Sequence, residues 1–203
     1  MKIGAKYSHL NGLEWMMVHQ KGIWREIQEV IRSIDADQFR IKKSKEKRMM
    51  GQMKIAPIAI NVAMKSEFGK RGWEHSFVRY YVTDDYGLTS KILRLILAEQ
   101  EEKIRAAGKR LISSYHQTDF QKNRVAVEVQ LGKYSFIEFD LFVKHLGFYI
   151  GNTIDVGVEI VPMKKMQEQM SSGPGYYERV LHHIARQGRG APAVPLILIG
   201  VEP

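Results

Sequence analysis

The 203-residue chain contains no cysteine, which excludes disulfides and thiolate zinc sites and permits a reducing compartment. Its first residues, MKIGAKYSHLNG, have no apolar stretch of the kind a secretory signal needs. No apolar run reaches the length of a membrane span, and the late run Pro195 to Val201 is far too short for one. A glycine-rich phosphate loop of the nucleotide-hydrolase type is missing, which argues against ATP-driven function. No repeat, low-complexity tract or linker interrupts the chain, so one domain over residues 1–203 is expected. The seven histidines lack ligand spacing. His182 and His183 are adjacent and cannot face one metal from a helix, and all seven read as structural or solvent-facing. The ten methionines read as gap-filling core or loop residues. Together these absences describe a soluble, cytoplasmic protein with no membrane partner.

What is abundant is positive charge. Lys and Arg outnumber Asp and Glu by 31 to 22, a formal charge of +9, which favours polyanionic partners such as nucleic acid. With 44% hydrophobic residues the chain can still bury an ordinary interior. Arg40, Lys42, Lys43, Lys45, Lys47, Arg48 and Lys54 crowd into RIKKSKEKRMMGQMK without hydrophobic periodicity, which reads as a solvated loop able to fold over phosphates.

The periodicities place the remaining elements. Ile23, Trp24, Ile27, Val30, Ile31 and Ile34 recur at helical spacing. Pro57 to Phe68, closed by Gly69, reads as a second helix. Trp73 to Thr83 reads as a strand with Asp84 to Gly87 as its turn. Residues 98–115 read as a helix, with acids early and bases late. Beyond them the pattern is a strand at 125–131, a helix from Ser135 to Tyr149, a strand at 154–161, a helix at 176–186 and a strand at 194–201. Strands alternating with helices imply a sheet covered on both faces.

The chemistry sits in TDFQKNRVAVEVQLGKY. Side chains alternate along a strand, so Val125, Val127, Val129 and Leu131 point one way and Ala126, Glu128 and Gln130 the other. A half-buried strand with a wet outer face writes the same pattern. If residues 120–124 form the turn of a hairpin, however, Asp119 meets Glu128. The main-chain oxygen of Val129 and the amide of Gln130 then lie beside them. Paired carboxylates suit a hard divalent cation, which phosphodiester hydrolysis needs to neutralise developing charge.

Asp119, nine residues on to Glu128, then Val129 and Gln130, resembles the PD-(D/E)XK nuclease signature in the variant with glutamine in the lysine position. DFQKNRVAVEVQ and the flanking strings YSHLNGLE, SYHQTDF, GKYSF, DLFVKH, IDVGVEI, SSG and RQGRG are similar to type II restriction endonucleases of the BglII/BstYI type, almost end to end. The resemblance implies an α/β fold with a mixed central sheet flanked by helices. It also implies a homodimer that cuts palindromic double-stranded DNA at RGATCY after the first base, leaving 5′ GATC overhangs. Mg2+ is the implied cofactor, with Mn2+ as a substitute. A methyltransferase would act on the same DNA site without binding this chain stably.

Carried over, Asp119, Glu128 and Val129 become metal ligands, and Asp119, Glu128 and Gln130 the catalytic set. Thr118 replaces the motif's proline, a harmless change. Gln130 is a real departure, because an amide orients water but cannot be its general base. For DNA reading, Lys133 stands where BglII has a base-reading asparagine, with a phosphate contact as the alternative. Ser171 and Ser172 enter a groove or merely form a turn and cap a helix. Arg186 and Arg189 in RQGRG grip guanine or merely close a helix C-terminus. Two other readings stay open: a repair or structure-selective nuclease with the same core, and a DNA-binding protein that does not cut. Dimer contacts are expected from the helices at 23–34 or 135–149.

Overall fold

The protein was analysed as a computed structural model that describes residues 1–44, 47–132 and 136–203. Lys45 of the basic run, Lys133 and the predicted helix start at Ser135 lie outside these. The chain opens with β1 (Lys2–His9), α1 (Gly12–His19) and α2 (Lys21–Ser33), then β2 (Arg40–Lys43), β3 (Met53–Ile55) and α3 (Pro57–Lys70). Next come β4 (Glu74–Val82), α4 (Tyr86–Ile92), α5 (Leu97–Ala106), β5 (Ile112–Lys122) and β6 (Val125–Val129). A helical stretch follows as α6 (Ile137–Phe139), a π turn (Asp140–Lys144) and α7 (His145–Ile150). The last elements are β7 (Val156–Pro162), α8 (Lys164–Gln167), α9 (Tyr177–Gln187) and β8 (Leu196–Glu202).

Six strands form one mixed sheet in the order β1-β8-β7-β6-β5-β4. Pairing is parallel from β6 through β7 to β8 and antiparallel elsewhere. The parallel half is what strands joined through helices produce, as the alternating pattern of the second half predicts. One sheet face is covered by α1 to α3. Ile23, Trp24, Ile27, Val30 and Ile31 of α2 and Ile60, Met64 and Phe68 of α3 pack there on Val125, Val127, Val129, Val158, Ile160 and Ile199. Burying the five α2 side chains supplies on the order of 10 kcal/mol of transfer free energy, before chain entropy is counted. The other face is covered by Ile137 and Leu141 and by Tyr177, Val180 and Ile184 of α9, packed on Val161, Leu196 and Leu198.

Several expectations are corrected. Strand β6 has no wet face: all five of its residues are buried, because it lies inside the sheet with helices on both sides. The two ends of the basic run are not loop: they pair as the antiparallel strands β2 and β3. That hairpin is tied to a later segment: Ile55 N donates to Gln169 O (2.8 Å), Ser171 N donates to Ile55 O (2.9 Å), and the buried Lys54 ammonium donates to Glu168 O (2.7 Å). The helix read over 98–115 stops at Ala106, where Gly108 at φ +66° turns the chain, and residues 112–115 belong to β5. Asp84 to Gly87 is a helix start, with Asp85 Oδ1 accepting from Leu88 N at 2.9 Å. The hairpin turn is shorter than 120–124: only Asn123 and Arg124 leave the ladder, at φ 46° and 63°, as a tight two-residue hairpin requires. Arg124 is held in this conformation by Asp155 and by Asn152, at 2.8 Å each.

Candidate active site

The short turn sets the register. Phe120 pairs with Val127, so Asp119 lies directly across from Glu128 on the face that carries Ala126. Each acid also reaches the backbone of the facing strand: Asp119 N donates to Glu128 Oε1, and Val129 N to Asp119 Oδ2, both at 3.3 Å. Asp119, Val129 and Gln130 line an open cleft whose opposite wall includes Lys42 of β2, Asn61 of α3, Ser171 and Ser172. Thr118 is buried behind the acid, its hydroxyl 3.3 Å from Phe120 O. Arg186, in the last turn of α9, and Arg189, just beyond its end, are exposed and do not line this cleft.

Beneath the cleft lies a set of residues that spacing alone did not single out. The π turn, in which His145 N donates to Asp140 O, brings Asp140 and Lys144 onto the sheet. The Lys144 ammonium sits 2.8 Å from Glu128 Oε2 and 2.8 Å from Asp140 Oδ1. Asp140 Oδ2 accepts from Gln130 Nε2 at 2.7 Å. A carboxylate only accepts, so the Gln130 amide is oriented nitrogen inward, and Oε1 is the atom it has to offer the cleft. Glu159 of β7 stands in parallel register with Glu128 and is fully buried, with His145 Nε2 at 3.3 Å from its Oε2. Asn61 is a further addition: its Oδ1 is buried without a partner among the described residues. Asp140 and Lys144 form an i, i+4 acid–base pair that a solvated helix face carries equally well, so spacing alone does not mark them.

Burial dominates the electrostatics. It pushes the Glu128 carboxyl up to about 8 against the pull of Lys144, and Asp119 and Asp140 add repulsion. Asp140 is raised for the same first reason. Glu159 goes well above the carboxylate range through burial, then through Asp140 and Glu128. Burial and the Lys144 charge bring His145 down to about 3, so it is neutral at physiological pH. Burial opposes the Lys144 charge, but Glu128 and Asp140 outweigh it and the lysine stays protonated.

The donor set fits a hard divalent cation. Asp119 and Glu128 supply two neighbouring carboxylates, and Glu128 Oε2 lies 2.8 Å from the Lys144 ammonium. No group of three or more His, Cys, Asp and Glu that could hold a metal occurs among the described residues. Two carboxylates, with remaining positions left to water and phosphate, is the usual demand of magnesium.

A scan of protein families matches residues 5–201 to the family described as restriction endonuclease BglII/BglIII. The chain belongs to the BglII family of restriction endonucleases. It is a type II restriction endonuclease, a hydrolase. Among solved structures, the fold is similar to BglII complexed with a DNA 16-mer, at 19% identity and a TM-score of 0.66, covering 100% of this chain and 79% of that one. It is also similar to free BglII, at 17% identity and a TM-score of 0.59, covering 100% and 80%. At these identities the likeness shows the fold. No curated protein matches the sequence. Among the described residues no helix of this BglII-family chain is long and apolar enough to cross a membrane.

A pH dependence follows from the buried acid. If Glu128 is a ligand of a divalent ion it must ionise to bind one, so with limiting divalent metal the single-turnover cleavage rate is expected to rise with pH through about 8, and saturating metal moves that limb lower. Stability has the opposite sign. A carboxyl whose pKa is raised on folding stabilises fully below its unfolded value of 4.5 and loses that contribution as pH rises through about 8. Melting curves in EDTA at stepped pH values check this second half.

Proposed function

We propose that the chain, as one domain over residues 1–203 and as a homodimer, cleaves duplex DNA at RGATCY after the first purine, the specificity of the BstYI type. The single observation that carries the nuclease chemistry is the Asp119–Glu128 pair brought together at the end of the β5–β6 ladder, with Asp119 lining the cleft and Glu128 buried beside it. In this reading Asp119, Glu128 and the carbonyl of Val129 hold Mg2+, or Mn2+ in its place. The bound ion supplies charge neutralisation at the scissile phosphate. Gln130 orients the attacking water through Oε1, its nitrogen being held by Asp140. Lys42 meets a backbone phosphate, while Ser171 and Ser172 face the groove from the opposite wall. Arg186, Arg189 and Lys133 complete the DNA contacts. A palindrome read by two subunits, one per half-site, accounts for the homodimer.

The test is digestion of supercoiled plasmids carrying AGATCT, GGATCC or AGATCC, with sequencing of the ends. Cuts at all three and at no other hexamer support the reading, and fragments ending elsewhere refute the specificity. Gln130→Glu is expected to change metal affinity by roughly tenfold, with little effect on DNA binding. Calorimetric Mn2+ titration beside a DNA mobility shift measures both.

A further inference from the structure

The site carries its own cation. Lys144 lies 2.8 Å from one oxygen each of Glu128 and Asp140, and its side chain is only 13% exposed, so its charge is committed to these acids rather than to solvent. Asp140 in turn holds Gln130 at 2.7 Å. Among the described residues, Glu128 and Asp140 share Lys144 as their ion-pair partner. A carboxylate as buried as Glu128 ionises against a desolvation cost, which a positive charge beside it offsets in part. The π turn appears where it is needed, because it brings Lys144 over the central strands beside its own i−4 acid.

We propose that Lys144 is a built-in counter-ion: it occupies the charge position of the divalent ion at Glu128 until that ion arrives, and so sets how weakly the DNA-free protein takes up metal. The inference rests on the reading of Asp119 and Glu128 as metal ligands. It makes Lys144 a positioning residue with two opposed effects. It keeps Glu128, Asp140 and Gln130 in place, and it lowers the net negative charge that attracts a divalent ion.

The consequence is measurable without turnover. In DNA-free protein, bound Mn2+ can be followed by the loss of the free-ion electron paramagnetic resonance signal, and stability by melting in EDTA and in Mn2+. Lys144→Gln is expected to bind Mn2+ at least tenfold more tightly than the unaltered chain. It should also melt lower in EDTA and recover when Mn2+ is added. Lys144→Arg, which keeps the charge, should bind Mn2+ like the unaltered chain. A merely structural lysine would lower the melting temperature without tightening Mn2+ binding, and that result overturns the proposal. Should Lys144→Gln fail to fold, Lys144→Gln with Asp140→Asn removes one base and one acid together. This pair should restore Mn2+ affinity to within threefold of the unaltered chain, and a tenfold departure in either direction overturns the proposal. Asp119→Asn separates the two levels. If it leaves Mn2+ uptake intact, the ligand assignment itself is wrong. If it abolishes uptake while Lys144→Gln fails to tighten it, only the counter-ion role is lost.

Discussion

Asp119→Asn is expected to leave supercoiled plasmid intact under conditions where the unaltered enzyme converts it fully, a loss of about a thousandfold or more in single-turnover rate. The substitution keeps the shape of the side chain and its contact with Val129 N, while removing the negative charge that faces Glu128. If Asp119 holds the metal as proposed, several kcal/mol of transition-state stabilisation depend on its charge, and each 1.4 kcal/mol is a factor of ten. DNA affinity should stay close to that of the unaltered protein, because the proposed phosphate contact of Lys42 is untouched and losing an acid in the cleft removes repulsion. A mobility shift with cognate duplex in Ca2+, run beside the cleavage time course, separates the two. Cleavage reduced less than tenfold would remove Asp119 from the catalytic set.

The second large effect lies under the site rather than in it. Gly157 of β7 sits against the ring of His145, and an added Cβ would come within 2.5 Å of Nδ1 and 2.7 Å of Cγ. The ring cannot retreat, since it is buried and bonded to Glu159 between the helix and the sheet. Gly157→Ala should therefore cost about 3 kcal/mol, at the upper end for overpacking a close-packed interior. For a chain of this size that lowers the melting temperature by about 6–12 °C. Displacement of His145 also shifts Lys144, its chain neighbour, so activity measured below the melting transition should fall as well. Scanning calorimetry and a cleavage assay at low temperature check the two parts, and an unchanged melting temperature contradicts the packing argument.

Much of this was legible in the chain because its period is short-range. Alternation across Val125 to Leu131 and the helical spacing of Ile23 to Ile34 need only local geometry, and both elements exist. The pairing of Asp119 with Glu128 was legible for the same reason, once QKNR was read as a turn. Other features depend on what the fold brings together. Ile112 to Tyr115 continue a helical pattern on paper but pair with β4 once Gly108 has turned the chain. The basic run gained strand structure by pairing with itself and docking on residues 169–171, contacts over a hundred positions away. Lys144 and Asp140 looked like the polar side of a surface helix, yet the π turn carries them inward to Glu128 and Gln130. The N-terminal strand β1 lay in a stretch read only for its lack of a signal, and its partner β8 stands at the far end of the chain.

The two-residue bend at Asn123 and Arg124 acts as a ruler. Since side chains flip faces at every step along a strand, an insertion of one residue there would send Asp119 and Glu128 to opposite sides of the sheet without altering either. The interval between the acids is thus the arithmetic of bend length. Libraries built around the acid pair can vary the lining of the cleft, but only if positions 123 and 124 keep their number and their left-handed backbone.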